Sequence, residues 1–117
     1  MDIKENEYVR TKSGKIDIFK EKDENYMFAR CQKNTYWIFD ITKHSKNLRD
    51  IIEVGDIVEY QVNSLSKLKI GRVKSYRDAR SNKEYLGVEG FDITKIYIKS
   101  ILTHEQYNAN CYKVKGE

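Results

Sequence analysis

A chain of 117 residues, 39% hydrophobic and 34% charged, has room for one ordinary core or two very small ones, and its nine Tyr, four Phe and one Trp argue for a folded protein. No stretch approaches the ~20 apolar residues of a membrane span and the N-terminus has no apolar signal core, so a cytoplasmic protein without membrane contact is expected. The net charge of +4 divides evenly, with 11 basic and 9 acidic side chains in residues 1–52 and the same in 53–117, which makes overall charge a weak pointer to nucleic acid.

Period-2 alternation of apolar and polar residues predicts a mainly β protein. Tyr8 to Lys12, the turn pair Ser13-Gly14 and Lys15 to Lys20 read as a hairpin, followed by a solvated turn at 21–25 and a strand from Tyr26 to Gln32. Tyr36, Trp37, Ile38 and Phe39 come in succession, which predicts a strand buried on both faces between Thr35 and Ile41. Leu48, Ile51 and Ile52 then stand at helical spacing behind Ser45, predicting a short helix or single turn.

Strand character returns from Ile57 to Val62, and a turn at 63–66 leads into Lys67 to Tyr76. There Leu68 and Ile70 are out of phase with Val73, so a β-bulge at Gly71 is expected to bring all three to one face. Arg77 to Lys83 reads as a hairpin loop, Glu84 to Val88 as its return strand, and Phe91 to Leu102 as a further strand with Ile93, Ile96, Ile98 and Ile101 facing a core. Thr103-His104-Glu105-Gln106 has the form of a capping box, predicting a short helix to about Asn108 and a final edge strand from Cys111 to Val114.

Phe39-Asp40-Ile41-Thr42-Lys43 recurs as Phe91-Asp92-Ile93-Thr94-Lys95, 52 residues on. The same ungapped offset pairs Glu7 with Glu59, Tyr8 with Tyr60, Lys15 with Lys67, Ile18 with Ile70 and Lys22 with Lys74, so five identities join the five of the pentapeptide. This predicts two related modules, 1–52 and 53–117, each an SH3-like small barrel or half-barrel followed by a short helix and packed with the other into one unit; a single continuous barrel is the alternative. In each copy Phe and Ile are expected to bury while Asp and Thr complete the backbone bonding at a strand end.

Residues 66–83 hold the strongest charge feature: Lys67, Lys69, Arg72, Lys74, Arg77, Arg80 and Lys83 are opposed only by Asp78, with Tyr76 and Tyr85 nearby. On a hairpin such cations can neutralise phosphates while a Tyr ring stacks on an unpaired base. The competing reading is a solvated hairpin whose charges protect a sheet edge. His44 and His104 lack neighbours at metal-ligand or catalytic spacing and read as surface residues. Cys31 and Cys111 form no C-x-x-C pair and read as free thiols. No phosphate loop, nucleophile elbow, zinc-protease or EF-hand motif occurs, so neither an enzyme nor a cofactor is expected. Trp37 and the tyrosines suit a binding surface, although core filling is preferred for Tyr36, Trp37 and Phe39.

Three segments, Asn6 to Lys12 with Gly14, His44 to Asp56, and Ile98 to Tyr107 with Tyr112-Lys113-Val114, resemble in sequence and order small uncharacterised proteins of prophages in clostridia and related Gram-positive bacteria. The resemblance is weakest from Lys67 to Glu84. It implies a phage-derived protein of the host cytoplasm and brings no known activity, cofactor or catalytic residue. Small phage proteins without catalytic motifs often occlude a host protein, including CRISPR and other defence components. By that analogy the first expectation is a non-enzymatic, anti-CRISPR-like inhibitor of a host protein or nucleoprotein defence complex. A nucleic-acid-binding accessory protein using hairpin 67–83 is the second and a sponge for a nucleotide signal the third; the oligomeric state is left open.

Overall fold

Ten short antiparallel strands form the framework of the chain in a computed structural model, which describes residues 2–115 and the side chains as far as Ala109. Two compact units divide between Ile51 and Ile52. The first contains β1 (Tyr8–Thr11), β2 (Ile16–Lys22), β3 (Phe28–Cys31), β4 (Thr35–Trp37) and β5 (Ile41–Ser45), in the sheet order β4-β3-β2-β1-β5. The second contains β6 (Ile57–Gln61), β7 (Lys69–Arg77), β8 (Glu84–Val88), β9 (Phe91–Asp92) and β10 (Tyr97–Leu102), in the order β10-β6-β7-β8-β9. Read outward from its first strand each unit has the same topology: the last strand pairs with the first, and a 3-10 turn, Ile38–Asp40 or Ile93–Lys95, precedes that last strand. Both sheets are open rather than closed barrels. Among the described residues no helix is long and apolar enough to cross a membrane.

The units also share one turn. In Lys4-Glu5-Asn6-Glu7 the Lys4 amide donates to Glu7 Oε1 at 2.6 Å and the Glu7 amide to Lys4 O at 3.1 Å. In Glu53-Val54-Gly55-Asp56 the Glu53 amide donates to Asp56 Oδ2 at 2.9 Å and the Asp56 amide to Glu53 O at 3.1 Å. The third residue has positive φ in both, Asn6 at 69° and Gly55 at 97°, as this backbone path requires and as Asn and Gly tolerate. Asn6 and Gly55 then donate to Phe19 O and Val73 O, while Phe19 and Val73 donate back to Glu7 O and Asp56 O.

These matches correct the uniform offset. Glu7 corresponds to Asp56 (49 residues), Phe19 to Val73 (54) and Ile38 to Ile93 (55), because the β6–β7 connection is longer than the Ser13-Gly14 turn. The identical pentapeptides therefore miss structural equivalence by three residues, 55 against 52. Phe39-Asp40 belongs to a 3-10 turn and Ile41-Thr42-Lys43 to a strand, whereas Phe91-Asp92 is strand and Ile93-Thr94-Lys95 the 3-10 turn. Both isoleucines are buried as expected, but Phe39 and Phe91 are exposed. Asp92 accepts from the Thr94 amide and hydroxyl at 2.9 and 2.8 Å, as anticipated; Asp40 instead lies 3.9 Å from Lys12 Nζ.

Each unit has its own small core: Ile3, Val9, Phe19, Ala29 and Ile41 in the first, and Ile52, Val58, Tyr60, Val73, Val88, Ile93 and Ile96 in the second. Asp17 is buried and accepts from the amides of Lys33 and Asn34 and the hydroxyl of Tyr36, fastening the β3–β4 turn.

Three further expectations are corrected. No bulge occurs at Gly71, because β6 and β7 pair without a register shift, so Ile70 and Leu68 stay exposed while Val73 buries. Gly71 serves close packing instead: a Cβ there would lie 2.4 Å from Val88 Cγ1. The strand predicted over Phe91–Leu102 is interrupted by its 3-10 turn. The first unit ends in a 3-10 turn, Leu48–Ile51, the short helix or single turn expected there, whereas the second ends in α1 (His104–Lys115), whose backbone runs through the segment predicted as an edge strand.

Candidate functional site

Three surfaces concentrate side chains able to engage a partner, and each lies within one unit. The first is aromatic. Phe28 on β3 pairs directly with Trp37 on β4, with rings 4.2 Å apart, and the Trp37 ring meets Phe39 at 5.2 Å. Strand alternation turns Tyr36 inward, paired with buried Ala29, and Trp37 outward. The expected strand buried on both faces is therefore a half-exposed edge strand. Trp37 is 40% exposed and Phe39 62%, and Tyr26 and Met27, which precede Phe28 in sequence, are exposed too. Lys12 Nζ stands over the Phe39 ring at 5.9 Å.

The second surface is the basic hairpin of β7 and β8. Alternation divides its residues between two faces, so the seven cations do not form one row. Arg72, Lys74 and Tyr76 share a face with Tyr85, which pairs directly with Tyr76 and stacks on it at 5.6 Å. Arg72 lies over the Tyr107 ring at 5.4 Å, and the Tyr76 hydroxyl accepts from the Gly90 amide at 3.1 Å. Lys69 and Arg77 take the opposite face. Lys69 covers the Phe91 ring, and Arg77 bonds to Glu84 at 3.0 Å and Asn82 at 3.2 Å. Lys67, Arg80 and Lys83 are exposed in the flanking loops. Lys67, Lys74, Arg80 and Lys83 have no carboxylate partner among the described residues. An open cleft of about 460 Å³ lies beside the hairpin, where Arg77 and Lys95 are matched by Asp78 and Asp92.

The third surface gathers residues that sequence spacing did not connect. His104 Nε2 lies 2.8 Å from Glu53 Oε1 and 3.4 Å from Glu105 Oε1, and donor atoms of all three residues fall within 4.8 Å of one another. Buried Asp56 holds the backbones together, accepting from the Glu53 amide through Oδ2 and the His104 amide through Oδ1, each at 2.9 Å. His44 in the first unit has a simpler environment, with Nδ1 3.1 Å from Glu7 Oε1. Both histidines thus obtain carboxylate partners through tertiary structure, where the sequence predicted plain surface residues. The only legible signal was Glu105 beside His104.

Several ionisable groups are displaced by their surroundings. The Lys4 amide chiefly holds the Glu7 carboxyl below its ordinary range, with His44 acting in the same direction and burial opposing them. Burial, aided by the Asp17 charge, pushes the Cys31 thiol up to about 11, so it is a poor nucleophile or metal ligand at neutral pH. Burial also raises the Tyr60 and Tyr36 phenols.

The chain matches no protein-family model, no curated protein and no solved structure.

Proposed function

We propose that this is a non-enzymatic binding protein that occludes a protein partner through the aromatic surface of its first unit. The carrying observation is the ladder Phe28–Trp37–Phe39, with successive rings 4.2 and 5.2 Å apart and the Trp37 and Phe39 rings left open to solvent. Its own stability is better served by covering such rings, whereas rigid exposed aromatics give a partner large contact area at little rotamer entropy. The scaffold is read as two SH3-like modules, on the support of the shared strand order and the 3-10 turn before each last strand. The resemblance to prophage proteins directs the choice of target to host cytoplasmic defence proteins.

The test is capture from host lysate with tagged protein, followed by reconstitution with the purified captured protein. One recurrent partner should bind the wild type and lose at least tenfold in affinity to Trp37→Ala/Phe39→Ala. Equal binding by the double variant, or no reconstituted complex, overturns this reading.

A second reading is favoured by unpaired cations around the Tyr76–Tyr85 stack: the second unit contacts single-stranded nucleic acid. It predicts salt-sensitive binding in a mobility-shift assay that Arg72→Ala/Lys74→Ala weakens, and no shift at low salt rules it out.

A further inference from the structure

We propose that Glu53, His104 and Glu105 form a binding site for a first-row divalent cation of the zinc class. An imidazole nitrogen and two carboxylate groups suit zinc, manganese or iron(II) better than magnesium or calcium, which prefer all-oxygen surroundings. A tetrahedral zinc site with bonds of about 2.0–2.1 Å has donor-to-donor edges of roughly 3.3 Å. His104 Nε2 and Glu105 Oε1 are already 3.4 Å apart, and Glu53 Oε1 need only withdraw from 2.8 Å to open room for an ion. All three side chains are partly exposed, which leaves a path for the ion and a position for water.

The first unit acts as an internal control. Glu53 corresponds to Lys4, and in both turns the residue is held through its backbone amide and carbonyl. The turn therefore makes no demand for a carboxylate at this position, so the Glu53 side chain adds acceptor capacity facing His104 that the turn does not require. The positive end of α1 would ordinarily repel a cation. Here the Asp56 carboxylate receives the His104 amide, the first of the helix, so that end is already offset while Glu53 and Glu105 remain directed at the imidazole.

Titration of metal-free protein with zinc and cobalt(II) tests the site, followed by calorimetry and, for cobalt, by its absorption spectrum. Cys31→Ser/Cys111→Ser protein removes thiolate binding from the measurement. The expected result is one ion per chain, with at least a tenfold loss of affinity in both Glu53→Gln and His104→Ala and none in His44→Ala. Circular dichroism of metal-free Glu53→Gln separates lost ligation from lost folding, because its turn bonds are retained. Absence of saturable binding, or binding indifferent to Glu53→Gln in a folded protein, overturns the proposal.

Discussion

Asp56 Oδ1 accepts the backbone amide of His104 at 2.9 Å, joining the turn before β6 to the start of α1 across 48 residues of chain. Its other oxygen accepts the Glu53 amide, and the residue has no solvent exposure. Asp56→Ala leaves both amides without this acceptor and is expected to destabilise the second unit by about 2–4 kcal/mol, with a smaller loss for Asp56→Asn. Urea unfolding of the two variants measures this, and an unchanged midpoint for Asp56→Ala contradicts it.

Gly71 and Val88 form a close contact that a single methyl group disrupts. Gly71→Ala puts a Cβ 2.4 Å from Val88 Cγ1 and should cost about 1–3 kcal/mol. Val88→Ala removes the opposing methyl, so Gly71→Ala should cost less in that background. A double-mutant cycle reads the coupling directly, and additive effects would show that the chain relaxes around the clash.

The Cys31 thiol should resist modification. A shift from the ordinary 9.0 to about 11 lowers the thiolate fraction at pH 8 by roughly a hundredfold. In Cys111→Ser protein, labelling by a thiol reagent should be slow in buffer and rapid in denaturant. Comparable rates under the two conditions would refute the burial argument.

Glu7 contributes pH-dependent stability with a definite sign. Its folded-state value is depressed, chiefly by the Lys4 amide, so the stabilisation is present above the unfolded value and disappears as pH falls through the folded one. Glu7→Gln should therefore flatten the decline in stability below about pH 5. Parallel acid-unfolding curves for the wild type and variant would exclude this role.

The aromatic surface should separate binding from folding. Phe39 is mostly exposed, so Phe39→Ala should change stability by less than about 1 kcal/mol while weakening the proposed partner complex. A large drop in melting temperature would instead make Phe39 a structural residue.

Much of the sheet was legible because local chemistry and fold agreed there. Ser13-Gly14 marked the first hairpin, alternation marked β3 and β6, the polar stretch 77–83 marked the loop between β7 and its return strand β8, and Thr103 began a helix. The end of that helix was hidden, since Asn108 and Asn110 are weak helix formers that the backbone nonetheless carries along. Trp37 and Phe39 were misread because hydrophobicity records what a side chain would gain by burial, without saying whether the fold supplies a cover. The Glu53–His104 pair was invisible because no local spacing connects positions 51 residues apart.

The two Phe-Asp-Ile-Thr-Lys segments are chemically indistinguishable and conformationally distinct. Exchanging them would leave the protein unchanged, so the instruction for each shape resides in the flanking chain. An antibody raised against the free pentapeptide therefore faces two different epitopes on the native molecule and two equivalent ones after unfolding. Its binding stoichiometry can report denaturation without any label being attached.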